Sequence, residues 1–245
     1  MRFKFYVGLD QPGDARHFER AFLSINRMRA RRGVLGCQDW ILDSGAFQEI
    51  DRFGGYRETP AQYAGEVNRL AAIDPGIRAA VSQDWMCEDF ILAKTGLTIA
   101  DHQRLTVERY DALLPLVRGV YLMPVLQGYS PASYVAHARA YGDRLAPGAY
   151  VGVGSLCKRN GSPFKIEDVL LAVKRERPYL ALHGFGIKTT ALRSGVVRNC
   201  LLSADSMAWS FAARKQGRNA HDWREAKRFE ERIHRMPVQE GFEFL

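Results

Sequence analysis

The sequence predicts an α/β protein folded as a (β/α)8 TIM-type barrel, irregular or reduced at one strand. Short apolar, β-rich runs recur along its 245 residues, with stretches of helical period between them. Several runs are almost continuously apolar, as parallel strands are when helices cover both faces of the sheet. The length suits one such barrel, so a single domain over 1–245 is expected.

The first run is "RFKFYVGL" (2–9), followed by a segment of helical spacing, "DARHFERAFLSINRMRARR" (14–32), with Phe18, Phe22 and Ile25 on one side. The second run is "WILDSGAF" (40–47). A helix "TPAQYAGEVNRLAAI" (59–73) opens on Thr-Pro, a good cap and first-turn pair. The third run, "RAAVSQDW" (78–85), precedes helical sequence near 87–117. The fourth, "GVYLMPVLQG" (119–128), leads into "SPASYVAHARAYG" (130–142), which opens on Ser-Pro. Then come "YVGVGSL" (150–156), the helix "KIEDVLLAVKRE" (165–176), "YLALHGFGI" (179–187), "CLLSADSM" (200–207) and the amphipathic "AHDWREAKRFEERIHR" (220–235). Seven strands are clear. The eighth is unassigned, with the tail "MPVQEGFEFL" as one source. No GxGxxG turn follows the first run, which weakens a doubly wound nucleotide-binding sheet, the competing architecture.

Composition narrows the class. Hydrophobic residues make up 47% and charged residues 25% of the chain. No run approaches the roughly 20 apolar residues that span a bilayer, so no membrane partner is expected. The opening reads as a strand rather than a signal peptide, which predicts a cytoplasmic protein. Cys37, Cys87, Cys157 and Cys200 are scattered singly, the usage of small buried hydrophobes. No metal site and no cofactor are expected. Residues 1–156 carry 18 Lys and Arg against 17 Asp and Glu, whereas residues 157–245 carry 17 against 10. A basic half within one fold suggests a polyanion partner.

In such barrels the reacting groups sit at the C-terminal ends of strands. Those ends carry Asp43 and Ser44, Asp84, Gln127 and Gly128, Gly154 and Ser155, His183, and Asp205. Carboxylates gathered at one mouth push their pKa values apart, so one acts as a nucleophile while another carries a proton. That division suits cleavage of a glycosidic bond through a covalent intermediate. Gln and backbone amides suit the edge of a planar heterocycle, and Phe47 suits its face. His102, His137 and His221 lie on predicted helices and read as surface residues.

The motifs then resemble a family in order along nearly the whole chain. "DSGAFQ" (43–48), "PVLQG" (124–128), "VGVGSL" (151–156), "LHGFG" (182–186) and "SADSM" (203–207) with "ARKQGRN" (213–219) are similar to the signature segments of the queuine/archaeosine tRNA-guanine transglycosylases. The resemblance implies roles. Asp205 is the nucleophile at C1′ and Asp43 the general acid/base. Ser44, Phe47, Asp84, Gln127, Gly154 and His183 bind the base, with His183 replacing a Met on one of its faces. The chain lacks the CxCxxC zinc motif and is more than a hundred residues shorter than typical members. It thereby looks like the compact phage and bacterial relatives that place 7-deazaguanines in DNA. The implied function is a DNA-guanine transglycosylase, a glycosyltransferase exchanging guanine for preQ0 or a derivative. The implied partners are DNA and the free 7-deazaguanine base. Lys158, Arg159, Arg214, Lys215 and Arg218 are candidates for the nucleic-acid backbone. The same chemistry on tRNA, a non-catalytic nucleic-acid-binding subunit and a barrel hydrolase are the alternatives. A homodimer is compatible with the reading, as is the host cytoplasm if a phage encodes the chain.

Overall fold

The computed structural model describes residues 3–156 and 162–238. Nine parallel strands form one sheet: β1 (Lys4–Leu9), β2 (Arg20–Ser24), β3 (Asp39–Asp43), β4 (Ile77–Val81), β5 (Tyr121–Met123), β6 (Val125–Leu126), β7 (Tyr150–Val153), β8 (Ala181–Gly184) and β9 (Leu201–Ser206). Their order is β5-β4-β3-β2-β1-β9-β8-β7-β6. The two outermost strands, β5 and β6, are consecutive in the chain and separated only by Pro124. Proline has no N–H to give to a ladder, so the strand is interrupted there. Its carbonyl still accepts from Gly152 N–H at 2.9 Å. β5 and β6 together fill one strand position, and the sheet nearly closes into the predicted eightfold barrel.

The eighth strand is β2, and its position corrects the reading of 14–32 as a helix. Only a short 3-10 turn (Pro12–His17) and one helical turn (Ile25–Met28) flank it. β2 pairs with β1 and β3 along its length, from Arg20↔Asp39 to Ser24↔Asp43. Ala21 and Leu23 face the helices, while Phe22 packs inside the barrel. The apolar spacing of Phe18, Phe22 and Ile25 therefore belongs to a strand and its two flanks. Residues 236–238 form no strand, and 239–245 lie outside the described residues.

The period-2 alternation of strands separates two cores. Tyr6, Ile41, Ala79, Val81, Met123 and Val125 fill the barrel. Trp40, Leu42, Leu23, Leu182 and Val151 point outward under the helices, with Tyr63, Tyr134 and Tyr141. The capped helices sit where expected: Pro60–Ile73 behind Thr59, and Pro131–Tyr141 behind Ser130, each with a reciprocal capping box. The helices Pro163–Glu176 and Trp223–Arg235 complete the wall. A third apolar cluster, with Ala46, Ile50, Trp85, Met86 and Ile91, lies beyond the strand ends and fixes the segment after β3. No helix among the described residues is long and apolar enough to cross a membrane. Cys37, Cys87 and Cys200 are buried.

Candidate active site

β3 ends on Asp43, and the chain must then turn at once into the helix Ala46–Phe53. Gly45 makes the turn with φ +75°, where a Cβ would also lie 2.7 Å from Asn26 Nδ2. The turn aims the Gly45 N–H back at Asp43 Oδ2, 3.0 Å away. The Ser24 hydroxyl of β2 also bonds Asp43. Burial, with Asp205 adding repulsion, outweighs these bonds and lifts the Asp43 carboxyl to about 6.

Asp84 lies just beyond β4 and is buried. Its Oδ1 accepts from Ser44 Oγ at 3.3 Å, and its Oδ2 accepts from Gln127 Nε2. The Tyr56 hydroxyl donates to its backbone carbonyl at 2.8 Å. Burial raises Asp84 to about 7, against the bond from Gln127 and with repulsion from Asp43. Gln127 Oε1 accepts from Ser155 Oγ at 2.6 Å, and Ser155 Oγ is also 3.0 Å from Glu88 Oε2. Gln127 lies flat on the backbone after β7: a Cβ on Gly154 would stand 2.1 Å from its Nε2. Ser155 holds a left-handed backbone, φ +53°, the only non-glycine among the described residues to do so. A cleft of about 800 Å³ opens beside Ser155, Glu88 and Tyr129.

Asp205, on β9, is held differently. Its Oδ1 accepts from Gly186 N–H at 3.1 Å and lies 3.3 Å from His183 Nε2. Its carbonyl accepts from Ile187 N–H. His183 has no exposure, and its Nδ1 is 2.8 Å from Ser203 Oγ and 3.2 Å from the Tyr150 hydroxyl. Phe22 stacks on the imidazole with ring centroids 5.6 Å apart. The histidine expected at the base is thus enclosed beneath Asp205 within the barrel.

Asp43, Ser44, Asp84, Gln127, Gly154, His183 and Asp205 gather at the C-terminal ends of the strands. Phe47 stands at the rim, half exposed, its ring 6.3 Å from that of Phe90. Among the basic candidates, Arg214 and Lys215 are exposed on the helix Ala208–Lys215. Arg218 pairs with Glu225 at 2.7 Å. Lys158 and Arg159 lie outside the described residues. In the basic stretch 27–32, Arg27 pairs with Asp10 and Arg29 with Glu58.

His102 and His137 correct the surface reading: both are fully buried. His137 Nδ1 accepts from Gln127 N–H at 2.8 Å, and burial pushes its pKa down to about 4. His102 Nδ1 is 2.6 Å from the Met86 carbonyl, and burial lowers its pKa too. His137 braces the backbone of Gln127 itself, and His102 braces that of Met86, two residues past Asp84. Their polar type on helices gave no hint of this, and at His137 the burial leaves Nε2 without a hydrogen-bond partner among the described residues. Ser24, Tyr56 and Glu88 are further partners that no motif marked; Ser203 stood in "SADSM" and Ser155 in the strand-end pattern.

A family model described as DpdA, DeoxyPurine in DNA protein A, matches residues 1–222. No curated protein matches the chain.

Proposed function

The chain belongs to the DpdA family, and from that premise we propose that it is a DNA-guanine transglycosylase. In this reading it replaces guanine in DNA with a 7-deazaguanine such as preQ0 or a derivative. The observation that carries the reading is the unequal treatment of carboxylates at one mouth. Asp43 is raised to about 6 beside a tethered Asp205.

The proposed reaction has two displacements. Asp205 attacks C1′ of an extruded deoxyguanosine through Oδ2, the oxygen not tethered by Gly186 and His183. The C1′–N9 bond breaks, and its electron pair leaves with guanine. Asp43, carrying a proton, gives it to the departing base. The 7-deazaguanine then loses its N9 proton to Asp43, N9 attacks C1′, and the bond to Asp205 breaks. Two displacements retain configuration. Asp84 accepts from N1–H and the 2-amino group of guanine-like bases, which an adenine edge does not satisfy. Gln127 meets O6, and the cleft beside Ser155 has room for a 7-substituent. Phe47 stacks on the base, and His183 orients the nucleophile from below. No step requires a cofactor.

Labelled 7-deazaguanine incubated with DNA or tRNA tests the reading. Label should enter DNA, and a protein–DNA adduct should survive denaturation. Asp205→Asn should abolish both. Label entering tRNA alone, or normal exchange by the variant, rejects the proposal.

A further inference from the structure

The exposed aromatic rings are distributed unevenly over the barrel. Among the described residues Phe47, Phe53, Phe90, Tyr129, Phe164 and Phe211 are exposed in segments that follow strand C-termini. At the opposite end only Tyr121 and Tyr179 are. Single exposed apolar residues need no explanation, but a set gathered around one mouth marks a contact surface.

Two of these rings flank the carboxylates in a matched way. The strand ending in Asp43 runs into the helix Ala46–Phe53, whose last residue, Phe53, is 51% exposed. The Arg57 guanidinium lies 3.8 Å from the centroid of that ring and also pairs with Glu49. The strand bearing Asp205 runs into the helix Ala208–Lys215, where Phe211 is 58% exposed. The Lys215 ammonium lies 4.9 Å from its centroid, and Met207, one turn earlier, is 39% exposed. β1 and β2 separate β9 from β3, so each platform follows a strand that carries one of the two carboxylates.

A ring with a cation beside it is a poor surface for an intact duplex, whose base faces are stacked away. It is a good one for unpaired bases on a polyanionic strand, where stacking and charge act together. Extruding one base exposes the faces of its two neighbours. We propose that Phe53, on one side, and Phe211 with Met207, on the other, stack on the bases flanking the extruded guanine. The DNA engaged is then single-stranded or locally melted. This rests on the base-exchange reading for the identity of the extruded base, not for the contact itself.

The test couples ring to base. Fluorescence anisotropy measures binding of a single-stranded DNA with one guanine among pyrimidines. It is compared with the same strand carrying abasic sites on both sides of the guanine, and with its duplex. Wild type should bind the intact strand more tightly than the duplex. Phe53→Ala and Phe211→Ala, at exposed positions and checked by thermal melts, should each weaken the intact strand by about tenfold. Neither should weaken the abasic strand. Equal loss on both strands, no loss on either, or a preference for duplex overturns the proposal. No loss on either is also the outcome if the rim docks a protein. Coupling without any label exchange would reject the enzymatic reading and leave the rim standing, whereas exchange without coupling does the reverse.

Discussion

Strand β3, "DWILD", begins and ends on an aspartate, and its two ends belong to different kinds of surface. Asp39, at the N-terminal end of the barrel, is ringed by cations. Arg20, Arg78 and Lys4 stand 3.4, 3.6 and 3.8 Å from its carboxylate, and Tyr6 donates to it at 2.8 Å. Asp43, four residues on, takes its hydrogen bonds from Gly45 and Ser24 and is repelled by the carboxylate of Asp205. The first charge is satisfied, so it holds strands together. The second is crowded by its own kind, an arrangement that costs stability and suits proton transfer.

Four experiments break or sharpen this contrast. Asp43→Asn should lower base exchange by on the order of 10²–10⁴, the usual worth of a general acid/base, and leave the fold intact. Asp39→Asn should exchange at the wild-type rate; a comparable loss there would erase the distinction between the two ends.

The next effect concerns pH and stability. Asp84 is raised by burial from 3.8 to about 7, so the folded chain holds its proton more tightly than the unfolded one. Its contribution is full below its ordinary value and is lost as pH rises through about 7; that of Asp43 is lost through about 6. Wild type minus Asp84→Asn in urea melts should therefore change by about 4 kcal/mol between acid and neutral pH, with the variant favoured at the neutral end. A difference that does not vary with pH contradicts the raised value.

Asp39→Asn should act in the opposite sense. Removing a bonded, charged acceptor should cost about 2 kcal/mol at neutral pH. A stabilised variant would mean that Asp39 is strained like its neighbour. The smallest effect is expected at His183. His183→Ala should lower kcat by about tenfold and leave KM for the free base unchanged, because it loosens the nucleophile rather than the base site. A raised KM with unchanged kcat would return His183 to the base-binding role its position in "LHGFG" first implied.

Much of the fold was legible because parallel strands under helices must be apolar on both faces, and "WILD", "VYLMPVL" and "YVGV" are. The Thr-Pro and Ser-Pro openings marked helix starts for a local reason, the satisfaction of first-turn N–H groups. The strand "RAFLS" was not legible. Its Phe22 stands at helical spacing with the flanking Phe18 and Ile25, and a five-residue strand has no internal bonds by which to declare itself. Only pairing with β1 and β3 on both sides decides it. The same limit hid Ser24, which reaches Asp43 only because β2 lies beside β3.

Local sequence thus determined the class of barrel, the order of its motifs and which polar residues stand at strand ends, since these follow from periodicity and chain direction. Tertiary structure alone decided which carboxylate has cations beside it and which is crowded by another carboxylate. It turned His102 and His137 inward, and it put His183 beneath Asp205. Charge and hydrogen-bond partners come from strands distant in the chain, and burial is a property of the closed barrel rather than of any residue in it.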